Sequence, residues 1–184
     1  MITAYALAFG SLLLLGGRVA DLFGREWTFV GGLLGFAAAS ALGGAAQSFD
    51  VLVAARVLQG VFAAVLAPAA LSLLTTTFTD PAERGKAFGV FGAIARTGGA
   101  VGLLLGGALT EVLDWRWCLY VAILFAMPAA VAGTRLLHHV PVPSRPRLDL
   151  PGTVTASAGL FALVFGMARA ESEGWGDGTT LAFL

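Results

Sequence analysis

Charged residues cut the chain into long apolar stretches. Segments without Asp, Glu, Lys or Arg run over roughly 1–17, 27–49, 57–79, 117–134 and 150–168, and another at 87–110 is broken only by Arg96. At about 1.5 Å per residue, a twenty-residue helix crosses the ~30 Å hydrocarbon layer of a bilayer. Within each stretch the apolar residues surround the helix, with no 3.6-residue stripe, as suits a segment facing both lipid and other helices. The stretches are too long for barrel strands and do not alternate. The pattern predicts an all-α, polytopic transmembrane helical bundle. Residues 179–184 (Thr-Thr-Leu-Ala-Phe-Leu) read as the first turns of one more span. Residues 1–17 do not read as a signal peptide, because Arg18 follows the apolar run and no basic segment precedes it.

The connectors add an orientation. Residues 18–26, 79–86 and 135–148 hold Arg18, Arg25, Arg84, Lys86, Arg135, Arg145 and Arg147. Residues 47–50, 111–116 and 169–178 hold only Arg116 and Arg169, beside Asp50, Glu111, Asp114, Glu171, Glu173 and Asp177. The two sets alternate, so the positive-inside rule places the first in the cytoplasm and residue 1 outside. Trp27, Trp115, Trp117 and Trp175 fall at span ends, where an amphipathic ring prefers the interface. These features describe a multi-pass protein of the plasma membrane, the inner membrane in a bacterium, with the lipid bilayer as its first partner.

Composition narrows the chemistry. Of 184 residues, 58% are hydrophobic and 12% charged, against roughly 25% charged in a soluble domain. Net charge is +0, which leaves no basic field for nucleic acid. The one cysteine, Cys118, excludes an internal disulfide framework and a multi-cysteine metal site. No H-E-x-x-H, Walker A loop or G-x-S-x-G is present, and His138 and His139 are loop neighbours that share no helix face. Neither an enzyme nor a cofactor is expected.

Three local patterns carry the remaining signal. In the first basic connector, Gly17 and Gly24 permit a tight turn, and Asp21 and Arg25 are spaced to pair. A short charged loop obeying the charge rule has the same look. Arg56, followed by Gln59 and Gly60, lies about six residues, roughly 9 Å, inside the outer helix end. An intramembrane arginine marks a functional site, yet that depth also allows snorkelling to the interface. Gly98, Gly102 and Gly106 line one helix face and permit close approach of a neighbouring helix, with Gly107 beside them.

Together these spacings resemble the major facilitator superfamily. Gly17, Asp21, Gly24 and Arg25 match its G-x-x-x-D-x-x-G-R loop, with Glu26 where a second basic residue is common. Arg56, Gln59 and Gly60 match the R-x-x-Q-G of its fourth helix. Gly98, Gly102, Gly106 and Gly107 are similar to the antiporter pattern G-x-x-x-G-P-x-x-G-G, with Leu103 in place of the proline. Residues 68–71, 83–87, 115–117, 148–152 and 174–175 extend the likeness along nearly the whole chain, toward the fourteen-helix drug:proton antiporter branch (EmrB/QacA type).

The resemblance implies a secondary active transporter that exports small amphiphilic compounds or drugs against proton entry by alternating access. It implies helices two to six in residues 1–137, a cytoplasmic loop at 138–149, and an inserted helix seven with the start of helix eight at 150–184. The chain is then the N-terminal half without its first helix, and its partners are a small-molecule substrate, protons and the missing C-terminal half. Asp21 and Arg25 would gate, Arg56, Gln59 and Gly60 would serve proton coupling, and the glycine face would pack against helices of the same bundle. Arg96 matches no family position; it is read as a cavity charge that disfavours cationic drugs, or as an incidental substitution in a defective gene. No Asp or Glu lies deep inside a span, so the chain lacks the membrane carboxylate an antiporter needs. Two rival readings are a metabolite transporter of the same superfamily and a non-transporting, truncated membrane protein.

Overall fold

The computed structural model describes residues 2–137 and 150–183. Among the described residues it contains seven helices: α1 (Ile2–Phe23), α2 (Arg25–Gly44), α3 (Phe49–Thr77), α4 (Pro81–Val112), α5 (Arg116–Leu136), α6 (Leu150–Glu173) and the short α7 (Gly178–Phe183). The first six are long and apolar enough to cross a membrane. The expected loop at 138–149, with His138 and His139, lies outside the described residues.

Each of the six long helices runs past its charge-free stretch at one end or both. Near the interface a charged side chain reaches water while its backbone stays helical, so charge ends the apolar run before it ends the helix. Thus α1 continues through Arg18 and Asp21, and α3 begins at Phe49, ahead of Asp50 and Arg56. The 32 residues of α4 make it about 48 Å long. Its start is fixed by Asp80, whose carboxylate accepts from the amides of Ala82 and Glu83 at 2.9 and 3.0 Å, and by Pro81 in the first turn.

The tight turn expected from Gly17 and Gly24 uses only the second. Gly24, at φ 91°, is the single residue between α1 and α2, a left-handed position that glycine adopts without steric cost. Gly17 lies inside α1, where a Cβ would make ordinary contact with Pro68 at 3.7 Å.

At the centre, α3 packs against α1 and α2; α2 also packs on α5, and α1 on α6. Lipid tails are as apolar as leucine, so membrane helices associate through close packing rather than by escaping water. The buried positions are accordingly small: Ala55, Ala64 and Ala69 on α3 are fully enclosed. Val30, Leu33 and Ala37 meet Ala126 and Ala130 between α2 and α5. At the acidic-connector end, Arg116 donates to the carbonyl of Ala46 at 2.9 Å and stacks over Trp115 at 4.7 Å, which ties the start of α5 to the end of α2.

The helix ends carry a direct test of orientation. With Cys118→Ala as background, Ser48→Cys precedes α3 and Glu83→Cys sits in the first turn of α4, and both positions are exposed. In intact cells an impermeant maleimide is expected to label Ser48→Cys and spare Glu83→Cys; the reverse pattern would invert the topology.

Candidate functional site

A line of polar groups joins three helices close to the acidic-connector end of the bundle. Arg56 stands about 10 Å into α3 from Phe49, and Gln59 follows one helical turn deeper. Arg56 Nη1 donates to Gln59 Oε1 at 3.0 Å. Gln59 Nε2 donates to Ser40 Oγ on α2 at 2.7 Å. Ser40 Oγ in turn donates to the carbonyl of Phe36, one turn back, at 2.7 Å. From α1, the Tyr5 ring lies under the guanidinium, 5.6 Å from Arg56 Cζ to the ring centre. Ser40 is 0% and Gln59 2% exposed, so the hydrogen bond between them forms away from solvent, where an unmade partner costs about 1–3 kcal/mol.

The packing beside this line is as tight as the bonding. Gly60 follows Gln59, and a Cβ there would lie 2.6 Å from the carbonyl oxygen of Tyr5 and 2.7 Å from Ala8 Cβ. The absent side chain brings α1 onto α3 and carries Tyr5 to Arg56. Among the described residues Arg56 has no ion-pair partner: its neighbours are a neutral amide and an aromatic face. The arrangement holds a fixed positive charge inside the bundle, and any carboxylate brought close to it would have its pKa lowered.

The structure thus brings Arg56, Gln59 and Gly60 into one site and adds two residues that the sequence analysis did not single out. Ser40 and Tyr5 carry only a weak signal, that of a polar group inside an apolar stretch; no spacing rule links them to Arg56.

The other sequence-derived residues lie elsewhere. Asp21 and Arg25 face each other at 3.9 Å, with side chains 39% exposed on both sides. A pair that open contributes about 0–1 kcal/mol. Gly98, Gly102 and Gly106 meet no helix among the described residues. An ideal Cβ at any of them, or at Gly107, meets nothing within 4 Å, and no residue of α4 is buried. Among the described residues α4 touches only α3 and α5, and lightly. Cys118 Sγ reaches the Gly106 carbonyl at 3.4 Å, a backbone contact that leaves the glycine face open. Arg96, midway along α4, is exposed and makes no hydrogen bond or ion pair among the described residues.

An open cavity of about 470 Å³ lies where Thr3 of α1 meets Phe165, Ala168, Arg169 and Glu171 of α6. Arg169 Nε donates to Asp177 Oδ2 at 3.0 Å, and this hydrogen bond, helped by the Thr180 amide, holds the Asp177 carboxyl below its ordinary pKa. The arginine charge is therefore already answered at the cavity wall.

Comparison with known proteins gives the geometry a context. The sequence profile of the Major Facilitator Superfamily matches residues 1–184. The chain is 60% identical to a puromycin resistance protein of Streptomyces alboniger, over 100% of the chain and 36% of that protein. It is 44% identical to a cephamycin export protein of Amycolatopsis lactamdurans, over 96% of the chain and 37% of the relative. A tetracenomycin C resistance and export protein of Streptomyces glaucescens is 36% identical over 98% of the chain and 34% of its own length. The chain spans about a third of the length of these curated relatives.

Proposed function

Because the chain belongs to the Major Facilitator Superfamily, we propose that it forms the first part of a proton-coupled exporter of small amphiphilic compounds in a bacterial inner membrane. In this reading the whole transporter belongs to the fourteen-helix branch. Residues 1–137 supply helices two to six, 138–149 a cytoplasmic loop, and 150–184 inserted helix seven with the start of helix eight. The observation that carries it is the buried line from Arg56 through Gln59 to Ser40, a fixed cation inside a membrane bundle. The functions for which the relatives are named, resistance to puromycin and export of cephamycin, support outward movement of small molecules.

Proton coupling needs a titratable group within the membrane. The described spans hold no Asp or Glu deep inside, so we assign that carboxylate, and the second half of the transport cavity, to parts of the transporter beyond these residues. Arg56 would then favour the ionised carboxylate when the two approach, and so set when the proton leaves. The Asp21–Arg25 turn would act as a latch on the cytoplasmic side. The open glycine face of α4 would receive a helix from outside the chain.

The test is flux in proteoliposomes. The complete transporter, with puromycin as probe, is expected to accumulate it against its gradient when a proton gradient is imposed, and to stop when an uncoupler is added. Residues 1–184 alone are expected to give no gradient-driven flux. Accumulation by the complete transporter that ignores the uncoupler would overturn the reading.

A further inference from the structure

The donors along the buried line all point one way, and that direction has a cause. A serine hydroxyl has one proton, and Ser40 spends it on the Phe36 carbonyl, at 2.7 Å. Its oxygen can then offer Gln59 only lone pairs. The Gln59 amide must therefore present Nε2 to Ser40, at 2.7 Å, which turns Oε1 toward Arg56, at 3.0 Å. The opposite orientation would set Oε1 against a hydroxyl whose proton is already used. It would also set Nε2 against a guanidinium that can only donate. Two repulsive contacts would replace two hydrogen bonds, one of them fully buried.

We infer that Ser40 is a positioning residue for Arg56: by fixing the Gln59 amide it determines whether the guanidinium has an acceptor inside the bundle, and so where the charge stands. The inference rests on the proton-coupled reading for its transport consequence, though not for its geometry. Without the Ser40 oxygen only Arg56 itself holds the amide, and the buried Nε2 is left without its acceptor. When the amide swings to recover one, Arg56 keeps only the face of Tyr5, 5.6 Å away, which attracts a cation but does not orient its N–H groups. Threonine offers the same hydroxyl and can use the same backbone carbonyl; alanine cannot.

Two measurements on the complete transporter decide the matter. The first reads geometry: phenylglyoxal modification of the peptide containing Arg56, followed by mass spectrometry and scaled to Arg18. Loss of one buried hydrogen bond to a charged group should raise the Arg56 rate about tenfold in Ser40→Ala, and Ser40→Thr should stay within about twofold of wild type. The second reads transport. Ser40→Ala should lower gradient-driven puromycin accumulation about tenfold while downhill flux without a gradient stays within about twofold, and Ser40→Thr should restore accumulation. Unchanged Arg56 reactivity in Ser40→Ala overturns the inference, as does an equal fall in both fluxes. A wild-type transporter without gradient-driven accumulation overturns the proton-coupled reading instead, while the modification rates still judge Ser40.

Discussion

Arg56→Ala in the complete transporter is expected to cut proton-driven export by at least about tenfold while leaving expression near wild type. The argument starts from depth. About 10 Å into α3, the guanidinium could snorkel if it were merely tolerated there, but its side chain points instead into a fixed set of partners. Holding it costs the protein a buried glutamine, a fully enclosed serine and a tyrosine ring, none of which an incidental surface charge would need. Removing the cation leaves Gln59 Oε1 without its donor and any approaching carboxylate without its counter-charge. A pKa shift of one unit amounts to about 1.4 kcal/mol, and an opposite charge a few ångströms away shifts a carboxylate by about one to three units. Coupled flux should therefore fall by about 10- to 1000-fold. Arg96 provides the contrast: it stands on open α4 with no partner among the described residues, so Arg96→Gly should be tolerated and should widen the substrate range toward cations. Flux of puromycin and of a permanently cationic dye in the two variants checks both. Normal coupled flux in Arg56→Ala with a dead Arg96→Gly would reverse the assignments.

The legibility of this molecule divides along a physical line. Spans were readable because the membrane excludes charge: each charge-free run became one helix, from α1 at residues 1–17 to α6 at 150–168. Helix ends were not, because the interface lets the backbone stay helical through Arg18, Asp50 and Lys86. The Asp21–Arg25 pair was readable from its spacing although Gly24 divides α1 from α2 between the two residues, and Arg56 and Gln59 were readable as a motif on α3 without their mutual hydrogen bond. The partners that complete the site, Ser40 on α2 and Tyr5 on α1, depend on which helix faces which, and the apolar runs carry no stripe to say so. The glycines show both outcomes of the same signal. A small-residue face permits close approach without naming the helix that uses it. Gly98, Gly102 and Gly106 are open among the described residues, whereas Gly16 and Gly60 are packed against backbone.

That last contrast makes the crossing of α1 and α3 the most sensitive point of the fold. A Cβ on Gly16 would overlap the carbonyl oxygen of Ala64 and come 2.6 Å from its carbonyl carbon and 2.9 Å from Val65 Cα. From the other helix, a Cβ on Gly60 would come 2.6 Å from the Tyr5 carbonyl oxygen. The contacts are reciprocal: each helix offers a glycine to the other's backbone. Backbone cannot swing aside, so the helices themselves must separate, and the alanine-rich packing between them is lost along with it. Gly35 differs, because the atoms its Cβ would meet belong to the Phe62 ring, which can turn about its own side-chain bonds. Gly31 has open space. In the complete transporter, Gly16→Val and Gly60→Val should each destabilise by at least the about 1–3 kcal/mol typical of overpacking, with Gly35→Val smaller and Gly31→Val near neutral. Size-exclusion melting curves of the detergent-extracted variants should show that order. Gly60→Val should in addition lose coupled flux, because moving α1 carries Tyr5 off Arg56. A Gly16→Val protein that melts with wild type would mean that α1 and α3 do not cross as described here.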